Sequence, residues 1–346
     1  MKRILLILAS IIVLATPVYA QELTAPPVPE YAEKFMPSRQ DNFGEGLLEV
    51  LHDALIYIRP DLEEAVSVCI SIIAIALAAS VLHTFPGAAD KTVNLAGNIG
   101  MSVILFNAAG SLVNLAGSTV AEISEYGKLL LPVMTAALAG QGGIGSSTAI
   151  YAGTVFFDAL LTSIIGKILM PMVYCFLVLA VANSAIGETV LKNLRNSMKW
   201  TITWLLKTIL YIYTGYIGIT GVISGTTDAA ALKAAKLAIS GVVPVVGSIL
   251  ADASETVLIS AGTVKNAAGI YGLFAILAIW IGPFLQIGVH YLLLKATSAA
   301  CSIFSSKSYS EMVQDFSSAL GLLLAMTAAI CLMLLISIVC FLKGVG

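Results

Sequence analysis

Polar and ionisable side chains inside long apolar runs are the residues of this chain that could do chemistry. Asp158 lies in the apolar stretch 156–185, and Gln286 and His290 lie in the stretch 268–297. Gln286 and His290 are spaced i, i+4 and therefore share one face of a helix. Because an ionisable group is costly in lipid, such residues mark proton or substrate relays in transporters. Together the three form a candidate intramembrane polar path.

A structural role is the alternative for the same kind of residue. Asp158 can be satisfied inside a helix bundle, and Lys167, Lys207 and Lys295 can extend to the membrane interface. In the repeat described below, Asp158 corresponds to Ile270. A duplicated ion site would carry equivalent polar groups in both copies, so the pattern favours the structural role over a symmetric ion-coupled carrier.

Catalytic and metal-binding motifs are absent from the sequence. None of the three histidines, His52, His83 and His290, has a neighbour at i+4 suited to a metal. There is no HExxH, nucleophile elbow, P-loop or Rossmann fingerprint. The five cysteines lack CxxC spacing and lie in or beside apolar runs. We therefore expect no enzymatic activity, no metal and no cofactor.

The composition is that of an integral membrane protein. Of the 346 residues, 58% are hydrophobic and 11% are charged, against about 25% charged in an average soluble domain. The mean hydropathy is +0.95. The net charge of −2 provides no basic field for nucleic acid. These values predict an all-α protein whose surroundings are the lipid bilayer.

The N-terminus has the pattern of a secretory signal. Lys2 and Arg3 precede the apolar run Ile4–Leu14, and Val18-Tyr19-Ala20 is a small-residue cleavage site. Residues 1–20 are therefore predicted to be a signal peptide, with an uncleaved anchor as the alternative.

Residues 21–64 are predicted to be extracytoplasmic. A proline-containing linker is followed by an amphipathic helix over 43–58, which ends at Arg59-Pro60 because the residue before proline avoids the α region. This helix could lie on the outer membrane surface, dock a partner, or pack on its own chain.

Residues 65–127 contain two predicted spans, about 65–82 and 92–116, followed by a charged outside loop over 117–128. The second span carries four asparagines beside small residues. Amides between close-packed helices are usually structural, and lining an aqueous path is the alternative. The four are Asn94, Asn98, Asn107 and Asn114.

A repeat divides the rest of the chain into two copies, 128–235 and 236–346. Pro132 and Pro244 are 112 residues apart, and so are Pro171 and Pro283. Tandem membrane units of this kind are typical of transporters and channel-like assemblies.

Each copy begins with a predicted re-entrant hairpin. In both, a proline-bearing apolar segment too short to cross about 30 Å of hydrocarbon is followed by a polar or glycine-rich break. An interfacial helix is the alternative. The hairpin residues are Pro132, Gly140, Gly142 and Gly143 in the first copy, and Pro244, Asp252 and Glu255 in the second.

A long helix kinked at Pro171 or Pro283 follows each hairpin, and a final span ends each copy, at about 200–223 and 316–341. The sequence therefore predicts about six spans plus two re-entrant hairpins. With residues 21–64 outside, the basic segment near Arg195 falls inside, as the positive-inside rule requires, and the C-terminus falls outside.

Two segments carry a resemblance to a known family. Lys128–Gly140 (KLLLPVMTAALAG) and Leu194–Trp200 (LRNSMKW), in this order after a leader and a proline-containing segment, resemble stage III sporulation protein AE of endospore-forming bacteria. The resemblance covers about residues 40–343.

The resemblance implies a multi-pass protein of the mother-cell membrane around the forespore. Its partners would be the other membrane subunits of a channel or secretion-like complex that spans two membranes, and homo-oligomerisation is left open. The family has been likened to permeases, and it carries over no catalytic residues.

Three functions are therefore considered. The first is a core membrane subunit of an intercellular channel, passive or gated by partners, in which the two hairpins meet near the midplane. The second is a stand-alone secondary transporter that uses Asp158 or His290. The third is a scaffold that orders other channel proteins and conducts nothing.

Overall fold

The computed structural model describes residues 25–38, 43–85, 90–140, 144–186, 189–219 and 267–343, and all regular structure in these ranges is helical. The predicted signal peptide and the second hairpin, with Pro244, Asp252 and Glu255, lie outside the described residues, as do Gly142 and Gly143. The described elements are α1 (Glu30–Glu33), α2 (Phe43–Tyr57), α3 (Arg59–Leu82), α4 (Asp90–Gly140), α5 (Ile144–Ile164), a π-helical turn (Ile165–Leu169), α6 (Met170–Ile186), α7 (Thr189–Ile219), α8 (Ala267–Phe304) and α9 (Lys307–Lys343).

The long helices alternate in direction along the chain. Ser298 on α8 donates to the Ser310 carbonyl on α9, whereas α4 and α9 run in parallel, with Phe106 packed edge-on against Phe316. The connections from α3 to α4, α6 to α7 and α8 to α9 therefore lie at one end of the bundle. We call it the basic end because the cations that the positive-inside rule places in the cytoplasm lie towards it: Lys192, Arg195, Lys199, Lys295 and Lys307.

Helix α9 is the centre of the described bundle. Its most apolar 18-residue stretch is 100% buried inside the protein, against α4, α5, α6, α7 and α8. A helix that is apolar on every face needs neighbours on every face. The high hydropathy of α9 therefore reflects burial in protein and does not by itself place its whole length against lipid.

Glycines let the other helices approach this core closely. A side chain at Gly97 would overlap the ring of Tyr309, and one at Gly127 would overlap Leu334. Both glycines lie on α4 and face α9. Without a hydrophobic driving force between helices in lipid, close packing of this kind is what holds a membrane bundle together.

The predicted loop over 117–128 is wrong, because α4 is one helix of 51 residues that passes through it and through Pro132. The N-terminal segment contacts this part of α4: Tyr31 donates a hydrogen bond to Glu122, and Tyr126 donates to the Pro26 carbonyl. Glu125 and Lys128 are exposed on the same helix.

The continuous helix α4 also changes the description of the first predicted hairpin. Its short first arm, 129–138, is the C-terminal part of α4, which is about 76 Å long at 1.5 Å per residue and exceeds a hydrocarbon core of about 30 Å. Helices α4 and α5 do form an antiparallel pair on either side of 141–143, because Ser124 contacts Asp158. A re-entrant course for this pair stays a prediction.

Five described helices are long and apolar enough to cross a membrane: Arg59–Leu82, Thr92–Leu138, Ser147–Ile186, Gly269–Phe304 and Lys307–Leu342. They correspond to five of the six predicted spans. The sixth, about 200–223, begins in α7, which is not among the five, and its last part, 220–223, lies outside the described residues. The all-helical class is confirmed for the described residues, with five candidate membrane spans, and the count of six stays a prediction.

The amphipathic helix ends near the predicted position, and α3 begins at Arg59 with Pro60 in its first turn. Helix α2 packs on its own chain, with Phe43 stacked on Phe274 of α8 at 5.3 Å between ring centroids. Part of the predicted apolar face remains exposed, including Leu48 and Leu55. This exposed part keeps the membrane-surface and partner alternatives open.

The two repeat copies differ in their surroundings. The counterpart of central α9 is peripheral α7, and the π-helical turn before Pro171 has no counterpart before Pro283, which lies within a continuous α8. The repeat itself stays a prediction from sequence.

Candidate functional site

Asp158 is buried between α5 and α4. Asp158 is 2% exposed, and Ser124 Oγ donates a hydrogen bond of 2.6 Å to Asp158 Oδ2. The second carboxyl oxygen, Oδ1, has no hydrogen-bond partner among the described residues. An incompletely satisfied carboxyl inside a bundle is costly, so this is the least compensated of the polar residues predicted from sequence.

His290 and Gln286 lie on α8, away from the Ser124 contact. His290 is 2% exposed, and its Nδ1 donates to the Gln286 carbonyl oxygen at 2.9 Å. The Gln286 side chain lines a cleft of 390 Å³ together with Asp61 of α3 and Pro283. This cleft lies between the N-terminal helices and the helices α4 and α8.

The structure therefore divides the predicted polar path into two parts. Asp158 is held by α4, whereas His290 is held by its own helix and interacts electrostatically with Asp61 of α3. A proton relay requires successive groups in hydrogen-bond reach or joined by water. The recorded contacts of Asp158 and His290 do not provide such a series.

The two predicted kinks differ in backbone. Pro171 cannot donate to the carbonyl four residues earlier, and the chain before it forms the π-helical turn Ile165–Leu169, closed by the Met170 N–H on the Ile165 carbonyl. Such single turns bend helices. Pro283 lies within α8, beside Gly282, which faces the ring of Phe35.

A polar cavity of 780 Å³ opens at the basic end between α4, α6, α7 and α9. Its wall is a hydrogen-bonded group: Asn98 Nδ2 donates to the Ser184 carbonyl at 3.0 Å, Ser184 Oγ donates to Asn98 Oδ1 at 2.6 Å, and Ser308 Oγ donates to the Ser184 carbonyl at 2.6 Å. Of the four asparagines noted in the sequence, Asn94 and Asn98 line this cavity. Ser184 and Ser308 carried no sequence signal.

A buried ion pair lies beside this cavity. Arg195 of α7 contacts Asp315 of α9, and their side chains are 5% and 13% exposed. Lys199 and Glu311 also interact electrostatically with Asp315, and Lys295 lines the same cleft. The sequence placed Arg195 only among cytoplasmic charges, since nothing in one chain identifies a partner 120 residues away.

A second buried polar cluster joins three helices. Thr154 Oγ1 of α5 donates to Ser337 Oγ of α9 at 3.1 Å, and Tyr213 OH of α7 lies 2.5 Å from the same Ser337 Oγ. Ser337 in turn donates to the Met333 carbonyl. These groups satisfy one another, so the cluster is suited to fixing helix register.

Within the described ranges, no group of three or more His, Cys, Asp or Glu side chains could hold a metal ion. The described polar groups can therefore do two things chemically: they can fix contacts between helices, and they can line the two openings of 390 Å³ and 780 Å³.

Comparison with known proteins gives one consistent result. A family described as stage III sporulation protein AE matches residues 32–344. A protein of Bacillus subtilis (strain 168) named stage III sporulation protein AE is 24% identical over 185 residues, which cover 54% of this chain and 46% of that protein. The matched stretch thus spans about half the length of this relative. No solved structure matches.

Proposed function

We propose, because the chain belongs to the stage III sporulation protein AE family, that it is a membrane subunit of a multi-protein channel or secretion-like complex between mother cell and forespore. In this proposal it resides in the mother-cell membrane around the forespore. Its partners are the other membrane subunits of the complex, and further copies of the chain are admitted.

The filled centre of the bundle is the observation that carries this proposal. The most apolar 18-residue stretch of α9 is completely buried among the described helices, so a conduit through the middle of one protomer would have to displace it. A path is more readily formed between subunits. The hypothesis that two hairpins of one chain meet at the midplane to form the pore stays an alternative prediction.

The outer faces are suited to assembly. Several large apolar or aromatic side chains are exposed on the peripheral helices, among them Ile70 on α3, Tyr174 on α6 and Tyr211 on α7. On α7, Trp200 and Trp204 stack with ring centroids 6.0 Å apart. Faces of this kind contact either lipid or the helices of neighbouring subunits.

The stand-alone transporter is less well supported, because Asp158 and His290 have separate contacts. Their substitution tests it: Asp158→Asn or His290→Ala would abolish flux through a transporter reconstituted alone in liposomes. A subunit of a larger channel gives no flux when reconstituted alone, with or without these substitutions.

Photocrosslinking in sporulating cells tests the proposal. We place p-azidophenylalanine, which is close in shape to tyrosine, at Tyr211, which is 57% exposed, and at buried Tyr213 of the same helix, which is 0% exposed. A second probe at Tyr174 samples another face. We expect crosslinks to other polypeptides from at least one exposed position and none from Tyr213. Crosslinks to lipid alone at every exposed position would contradict assembly into a complex.

A further inference from the structure

The cavity at the basic end has the features of a binding site that the contacts inside the protein do not explain. We propose that it binds the phosphate headgroup of an anionic phospholipid. Its volume of 780 Å³ lies within the range of small-molecule sites, about 300–1,000 Å³.

Charge at the mouth favours an anion. Lys192 of α7 and Lys307 of α9 both line the cavity, and their side chains are 51% and 87% exposed. Glu311 lies 3.8 Å from each lysine and neutralises one positive charge. Among the described lining residues, one positive charge therefore remains.

Two long helices also begin there. Thr189 opens α7, of 31 residues, and Lys307 opens α9, of 37 residues, and both residues line the cavity. The first N–H groups of a helix have no acceptor within the helix, and the helix dipole favours negative charge at that end. Two such ends converge on one opening, which is a recurring arrangement for phosphate.

Buried donors inside the cavity lack partners. Asn183 is 7% exposed and lines the cavity, and no hydrogen bond to its amide is formed by the described part of the chain. Ser306 also lines the cavity, and its Oγ is buried without a partner among the described residues. Leaving the buried Ser306 Oγ unpaired costs free energy, and phosphate oxygens could accept from both side chains.

The rim and its position indicate a lipid as the source of the phosphate. Leu95 and Ile186 line the same opening and are 47% and 66% exposed. Three candidate spans have an end at this level of the bundle: two end at Leu82 and Ile186, and one begins at Thr92. The cavity is therefore expected at the depth of the lipid headgroups. Basic pockets between helices at this depth bind anionic headgroups.

Native mass spectrometry of the full chain in detergent tests the site with two probes of identical acyl chains, dioleoylphosphatidylglycerol and dioleoylphosphatidylcholine. We expect tighter binding of the glycerol lipid. Lys192→Gln and Lys307→Gln should each weaken it about fivefold, since one lysine near a membrane surface contributes about 1 kcal/mol, and leave choline-lipid binding unchanged. Lys192→Arg should retain binding. Lys128→Gln, on α4 far from the basic end, is the matched control.

Three outcomes would overturn the proposal. The two lipids could bind equally, Lys128→Gln could weaken binding as much as Lys192→Gln, or soluble glycerol 1-phosphate could displace the lipid at equal concentration. The last would assign the site to a free phosphate compound. Asn183→Leu gives a second test without a change of charge: it should weaken binding of the glycerol lipid, because a donor to its phosphate is lost.

Discussion

The buried pair of Arg195 and Asp315 gives a quantitative prediction. Removing one partner of a buried ion pair costs about 3–5 kcal/mol, because the other charge is left without compensation. The two removals are not equivalent here. In Arg195→Met, Lys199 still faces Asp315, so we expect a loss of about 3 kcal/mol in the free energy of unfolding. In Asp315→Asn, Arg195 remains beside Lys199 and Lys295, so we expect about 5 kcal/mol.

The double variant Arg195→Met/Asp315→Leu separates pairing from packing. Replacing both members of a buried pair by apolar residues of similar size is often close to neutral, so its loss should be under about 2 kcal/mol. Reversible unfolding of the purified protein in mixed micelles, titrated with sodium dodecyl sulfate and followed by circular dichroism, measures all three. The reasoning would be refuted if both single variants lost less than about 1 kcal/mol in the free energy of unfolding, or if Arg195→Met lost more than Asp315→Asn. It would also be refuted if the loss in the double variant equalled the sum of the two single losses.

Two further predictions concern the packing of α4. Gly97→Val should lower the free energy of unfolding by about 1–3 kcal/mol, because the new side chain would overlap the ring of Tyr309; Gly110→Val, which meets nothing within 4 Å, should cost little in the same titration. If Gly110→Val were equally destabilising, the cause would be β-branching and not the contact with Tyr309. Asp158→Asn should keep the count of heat-resistant spores, since an amide oxygen still accepts from Ser124, whereas a fall of about tenfold or more would mean that a titratable group is needed there.

Local chemistry allowed part of the fold to be predicted. Arg59-Pro60 separates α2 from α3 because proline is accepted only in the first turn of a helix. Runs of apolar residues predicted five of the helices that are long enough to cross a membrane. These signals depend on neighbours in sequence, so one chain is enough to interpret them.

Tertiary contacts explain what could not be predicted. The charged segment 117–128 was predicted to be a loop, yet it is part of the helix α4, and Tyr31 and the Pro26 carbonyl bond to Glu122 and Tyr126 on it. The hydropathy of α9 could not distinguish burial in protein from burial in lipid, since both require apolar side chains. Ser124 could not be predicted as the partner of Asp158 either, because serines are common in membrane helices and the sequence does not show which residues they contact.

The accessibility of Cys331 tests the central claim, that α9 fills the bundle and any conduit lies between subunits. Cys331 lies on α9 and is 1% exposed. Membranes from sporulating cells are treated with a charged, water-soluble thiosulfonate, and peptide mapping locates the modified thiols, with a cysteine at the exposed position Ser118 as the reference. We predict that Cys331 stays unmodified until the protein is denatured. Modification of Cys331 in the native membrane at the rate of the Ser118→Cys reference would place water at the centre of the chain and contradict the account.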